Sequence, residues 1–110
     1  MLFHSNHFEE AESLIRKMVE FDPQNSHAWS NLGAVLIQLK RWKDAESVLV
    51  HALECNPHSA YAQLQVGVYH AVQRHYSVAE EMFRRAVACD PEFAVAHSKL
   101  GLVLEQFGRY

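Results

Sequence analysis

Apolar residues recur along this chain every three or four positions, and small residues are set among them at regular places. Trp29, Leu32, Gly33 and Leu36 follow helical spacing, and after a short break at Lys40-Arg41 the residues Trp42, Ala45, Leu49 and Ala52 follow it again. Each series predicts an amphipathic helix with one face turned to a core. Gly33 and Ala45 let the two helix backbones approach, while Trp29, Leu36 and Leu49 fill the space beside them. Ser47 falls on the outer face of the second helix, and Pro57 marks its end.

The same pattern returns at a fixed distance. Pro23, Pro57 and Pro91 stand 34 residues apart, each preceded by Asp or Asn (Asp22, Asn56, Asp90), and Gly33, Gly67 and Gly101 keep the same interval. The glycines close equivalent triplets: Asn31-Leu32-Gly33, Gln65-Val66-Gly67 and Lys99-Leu100-Gly101. A period between about 20 and 50 residues means a solenoid, in which one unit cannot bury its apolar face alone and stacks on its neighbours. Function is therefore expected on a repeated surface.

These residues resemble the tetratricopeptide repeat, whose pattern is W-x₂-L-G-x₂-Y, then A-x₃-F, then P. Trp29, Leu32, Gly33, Leu36, Ala45, Leu49, Ala52 and Pro57 match it with conservative exchanges. A second unit keeps Val66, Gly67, Ala79, Phe83, Ala86 and Pro91 but has Gln63 for the tryptophan and His70 for the tyrosine, which predicts looser packing there. A third has His97, Leu100, Gly101 and Leu104, with Gly108 suited to a left-handed helix end. Phe8, Ala11, Ile15, Met18 and Pro23 follow the register of a second helix whose own first helix is reduced to Met1 through Ser5. With the first helix of a unit called A and the second B, the resemblance implies an all-α, right-handed superhelical solenoid of antiparallel pairs. About six helices would run B-A-B-A-B-A through one domain over residues 1–110. Its parts would be a second helix at 1–25, full repeats at 26–59 and 60–93, and a first helix at 94–110.

Composition narrows the class of function. With 49% hydrophobic and 21% charged residues the chain is an ordinary globular sequence. Its apolar runs fall short of the roughly 20 residues that cross a bilayer, and Met1-Leu2-Phe3 leads at once into polar and acidic residues, unlike a signal peptide. A net charge of −3 without a Lys/Arg cluster argues against nucleic acid and slightly favours a basic partner over an acidic one. Cys55 and Cys89 share a repeat position, so neighbouring helices would hold them roughly 10 Å apart, too far for a disulfide. Reduced thiols suit a cytoplasmic setting.

No cofactor or metal is expected. His51 precedes Cys55 by one helical turn, but the pair lacks the ligand count of a zinc site, and the eight histidines show no metal-binding spacing. His70 and His97 replace large apolar residues at inward positions, where a buried imidazole would need a partner and could tune stability with pH. Glu12 with Arg16, Glu80 with Arg84 and Glu81 with Arg85 are spaced i, i+4 and read as ion pairs on a solvated helix face. Nothing resembles a nucleophile elbow or a phosphate loop, so no enzyme is expected.

The resemblance implies a protein or peptide partner held on a concave face lined by first helices. Carried over position by position, that face holds His27, Ser30, Asn31, Ala34 and Ile37, then Tyr61, Leu64, Val68 and Val72, then Phe93, Val95, Ser98 and Leu102. Gln38, Ala71, Glu105 and Gln106 fall on the same face, and Glu92 precedes its third stretch. Chaperone-binding members of the family clamp a carboxylate with Lys, Arg and Asn where this chain has Ser30, Ala34 and Val95, leaving Asn31 and Lys99 as remnants. An amphipathic helix or extended apolar segment is thus the more natural ligand. The competing expectation is that Leu64, Val68 and Leu102 simply pack between adjacent first helices.

The chain is thus expected to be a non-catalytic protein-binding module, with two alternatives to that reading. One is an excerpt of a longer array, such as the substrate-recruiting region of an enzyme like a glycosyltransferase, and the other is a self-assembly module. For self-assembly, the apolar residues Phe8, Ala11, Ile15 and Met18 at one end and Leu100 and Leu104 at the other would make a swapped or end-to-end dimer, or an open filament where contacts do not close.

Overall fold

The computed structural model describes residues 2–107, with side chains described over 7–106. Six helices follow one another: α1 (Leu2–Phe21), α2 (Ser26–Gln38), α3 (Trp42–Cys55), α4 (Ala60–Val72), α5 (Tyr76–Cys89) and α6 (Ala94–Phe107). No strand occurs among the described residues. Residues 2–5 are not a separate first helix, since α1 runs unbroken from Leu2; Met1 and Gly108 lie outside the described residues. The chain divides into two compact units, Met1–Pro57 and His58–Tyr110.

In the first unit α2 packs on α1 and α3 on α2. Asn25 caps α2 by accepting a hydrogen bond from the Ala28 amide at 3.1 Å, which satisfies a donor the helix itself leaves open. The helix then stops in a Schellman turn: the Arg41 amide donates to the Leu36 carbonyl and the Lys40 amide to Ile37, both at 3.0 Å. Lys40 pays for this turn with a φ of 61°, a left-handed conformation that side chains with a Cβ resist. Leu32, Leu36, Ala45, Leu49 and Ala52 form the buried seam between α2 and α3. A Cβ on Gly33 would lie 2.6 Å from Leu49 Cγ, so the bare glycine is what allows this approach.

Trp29 anchors the start of α2. Its indole N–H donates to the Pro23 carbonyl at 2.7 Å, and the ring of His51 meets it edge-on with centroids 4.4 Å apart. Arg41, at the start of α3, donates to Asp44 at 2.9 Å and reaches Glu12 of α1 at 2.7 Å. Glu12 also accepts from Arg16 at 2.9 Å.

The second unit repeats the plan with different residues. Ser59 caps α4 through the Ala62 amide at 3.1 Å, and α4 ends in the same Schellman turn, with Arg74 at φ 67° and the His75 amide donating to His70. Leu64, Ala79, Phe83, Ala86, Ala96 and Val103 make its core. Gly67 faces the Phe83 ring, where an added Cβ would meet Cδ1 at 2.7 Å. Gln63 is buried at the place that Trp29 holds in the first unit.

The expectation for His97 is corrected. It is exposed, and its Nε2 lies 2.8 Å from the Pro91 carbonyl. It therefore repeats the Trp29–Pro23 bond, with a ring nitrogen at the proline carbonyl in both places. His70 is half-buried, edge-on to Tyr69 and 5.8 Å from the ring of His75. All three i, i+4 ion pairs form, but the carboxylates of Glu12 and Glu80 are largely shielded, so only Glu81–Arg85 lies on an open helix face.

Candidate functional site

Helix geometry sorts the thirteen predicted binding residues into exposed and enclosed. In α2, His27 is exposed and Asn31 and Ala34 are half-buried. Ser30 and Ile37 are buried, which removes them from any ligand surface. The buried Ser30 hydroxyl is satisfied by donating back to the Ser26 carbonyl at 2.9 Å, a bond a serine within a helix makes readily. Leu64 likewise belongs to the core of the second unit, so for this residue the packing expectation holds and the groove expectation fails. Phe93, Tyr61 and Val68 are half-buried against that core. Burial pushes the Tyr61 phenol above its ordinary pKa, partly countered by a hydrogen bond with Gln65.

Val72 and Leu102 are the exposed apolar members, 50% and 54% accessible, together with Val95 and the polar Ser98. The second unit brings Val68, Val72 and Leu102 around an open cavity of about 230 Å³. Phe83 and Val103 form its floor; Ala71, Tyr76, Lys99 and Gln106 complete the walls. Tyr76, Phe83 and Val103 were not expected there, although Tyr76 opens α5 as Trp42 opens α3, which is a register signal that places an aromatic ring beside the end of the first helix. The cavity is a trough with an apolar floor, one cation and one amide. Such a surface can take up an apolar side chain and orient its neighbours by polar contacts.

A second exposed apolar area lies on α1. Leu14, Met18 and Phe21 surround a shallow depression with Lys17, Asp22 and Asn25. Of the residues expected at the ends, Met18 is exposed, while Phe8, Ala11, Ile15, Leu100 and Leu104 are half-buried. Leu14 and Phe21 carry most of the exposed surface and were missed, because the register comparison followed only positions matching the repeat pattern.

Among the described residues no group of three or more His, Cys, Asp or Glu could hold a metal ion, and no helix is long and apolar enough to cross a membrane. Cys55 and Cys89 are free thiols. The Cys55 thiol lies 3.6 Å from the Pro23 carbonyl that also accepts from Trp29.

Comparison with known proteins bears on this surface. Residues 2–66 match one family model and residues 64–110 a second, each described as tetratricopeptide repeat. No curated protein matches the chain in sequence. The chain is similar in structure to the first TPR of Spaghetti (RPAP3) bound to the HSP90 peptide SRMEEVD, at a TM-score of 0.83 and 21% identity, covering 96% of this chain and 86% of that one. It is similar to the TPR2B domain of yeast Sti1 in its pHsp70 complex at a TM-score of 0.80 and 19% identity, covering 94% and 88%. MamA matches at a TM-score of 0.73 and 27% identity over 92% of this chain, which spans 59% of MamA's length.

Proposed function

We propose, from the premise that this chain belongs to the tetratricopeptide repeat family, that it is a non-catalytic protein-binding module whose ligand is an apolar segment, a helix or an extended strand. The observation that carries this reading is the trough of the second unit, where Val68, Val72 and Leu102 stand over a floor of Phe83. Half-exposed branched residues around a cavity gain on burial, since each fully buried aliphatic side chain is worth about 1.5–3 kcal/mol. Micromolar affinity requires about 8 kcal/mol after the cost of association, so the ligand must extend beyond one anchor side chain.

The structural relatives support a peptide partner and sharpen its chemistry. The RPAP3 domain holds the acidic peptide SRMEEVD, and the Sti1 domain is in a complex with pHsp70. In this chain the places of a carboxylate clamp carry Ser30, Ala34 and Val95, of which Ser30 is buried, and the one cation at the trough is Lys99. Apolar contact therefore carries recognition, with Lys99 available to an acidic neighbour of the anchor. Free thiols at Cys55 and Cys89 fit a cytoplasmic setting.

The test uses peptides selected on the intact chain from a random displayed library, with affinity measured by calorimetry. Val72→Glu and Leu102→Glu replace exposed residues, so helical circular dichroism and melting temperature should stay close to wild type while affinity falls at least tenfold. Unchanged affinity in both variants would refute the reading. The peptide SRMEEVD serves as a control expected to show no saturable binding; binding that survives Leu102→Glu would point to a carboxylate clamp instead.

A further inference from the structure

Helix α5 packs on the helix before it and on the helix after it, whereas α1 and α6 each leave one such face bare. Helix α1 is followed by α2 as α5 is followed by α6, but only α5 also has a helix packed before it, α4. The consequence is visible at equivalent positions, 34 or 68 residues apart. Met82 and Ala86 on α5 are 8% and 0% exposed, whereas Leu14 and Met18 on α1 are 62% and 49% exposed. What covers α5 and leaves α1 open is therefore a preceding first-type helix.

Helix α6 shows the complementary gap. Gly33 is filled by Leu49 and Gly67 by Phe83, but a Cβ on Gly101 would meet nothing within 4 Å. The α1 residue equivalent to Leu49 and Phe83 is Ile15, and Ala11 keeps the small side chain of the fully buried Ala45 and Ala79. One end of the chain thus carries the knob and the close-approach alanine, and the other carries the glycine that receives them.

We infer that α1 of one copy of this chain docks on the Gly101 face of α6 in a second copy, with Ile15 seated against Gly101. The incoming helix continues the row already formed by α4, α5 and α6, so the contact extends an interface that the unit itself uses. It involves Leu100, Gly101 and Leu104, a different face of α6 from the Lys99, Leu102 and Gln106 side of the trough. The contact is heterologous, since α1 and α6 present different surfaces to each other.

Light scattering after size exclusion should give a mass rising with concentration from the 12.6 kDa of one chain to at least twice that. Gly101→Leu adds a side chain into open space in the single chain but fills the receiving site, so it should melt no lower than wild type and stay at one-chain mass. Gly101→Ala is the milder second variant should leucine disturb the helix. Leu14→Asp with Met18→Asp spoils the opposite face on exposed positions and should also give single chains. Mixed in equal amounts, the Gly101→Leu chain supplies an intact α1 and the Leu14→Asp/Met18→Asp chain an intact α6, so the mixture should form a dimer and go no further. A wild-type chain that keeps one-chain mass at high micromolar concentration overturns the inference. So does association that persists in Gly101→Leu and Gly101→Ala, or a mixture that stays at one-chain mass.

Discussion

Substituting alanine for each of the three equivalent glycines separates packing from helix propensity, because the propensity gain is common to all three. An alanine within a helix is favoured over glycine by about 0.8–1.0 kcal/mol. At Gly101 nothing opposes this gain, since an added Cβ has open space around it, and Gly101→Ala should stabilise by about that amount. At Gly33 the new Cβ would sit 2.6 Å from Cγ of Leu49, a buried residue with little room to retreat. At Gly67 it would sit 2.7 Å from Cδ1 of Phe83, a rigid ring that is also buried. Overpacking of this kind costs about 1–3 kcal/mol, so Gly33→Ala should be neutral to destabilising by about 2 kcal/mol, and Gly67→Ala the worse of the two. Thermal melts followed by circular dichroism at low micromolar concentration read the difference directly. One kcal/mol moves the midpoint of a domain this size by about 4–8 °C, so Gly101→Ala should melt above wild type and Gly67→Ala clearly below it. Equal shifts in the same direction for all three would refute the helix-pair packing on which the register rests.

Two further pairs of substitutions probe the same pairing and its turns. Ala45→Leu enlarges a fully buried side chain between α2 and α3 and should cost about 1–3 kcal/mol, whereas Ser47→Leu on the exposed face of α3 should change the chemical denaturation midpoint little; equal damage would mean the helix phase is wrong. Lys40→Gly and Arg74→Gly each replace a side chain held at positive φ and should stabilise by about 1 kcal/mol; a loss of stability in denaturant titrations would show that these side chains do more than tolerate the turn.

The helix-pair plan was legible in the sequence because the residues that carry it are few and spaced by geometry: glycine and alanine where backbones meet, large apolar residues beside them, proline beyond the second helix. All six helices follow from that pattern, apart from the run from Leu2 that joins what looked like a separate remnant to α1. The site was less legible. Ser30 and Leu64 were carried over as surface positions, yet Ser30 is buried with its hydroxyl satisfied by the Ser26 carbonyl, and Leu64 belongs to a six-residue core. His97 looked like a defect in an apolar place, because the repeat pattern records a tryptophan and not the ring N–H through which Trp29 meets the Pro23 carbonyl and which His97 reproduces at Pro91. Lys40 and Arg74 gave no sign of a left-handed turn, since glycine is its usual signal and neither position has one. The apolar area on α1 was half seen, through Met18, because Leu14 and Phe21 lie off the repeat pattern and are revealed only by their exposure.

The claim that the trough of the second unit is the ligand surface is tested most directly by methyl resonances of the intact chain during titration with a selected apolar peptide. Val68, Val72 and Leu102 should show the largest shifts, Val103 on the trough floor a smaller one, and Leu14 and Ile15 on α1 none. Shifts concentrated on α1, or on the exposed Val78 of α5, with Val72 and Leu102 unmoved, would contradict the account.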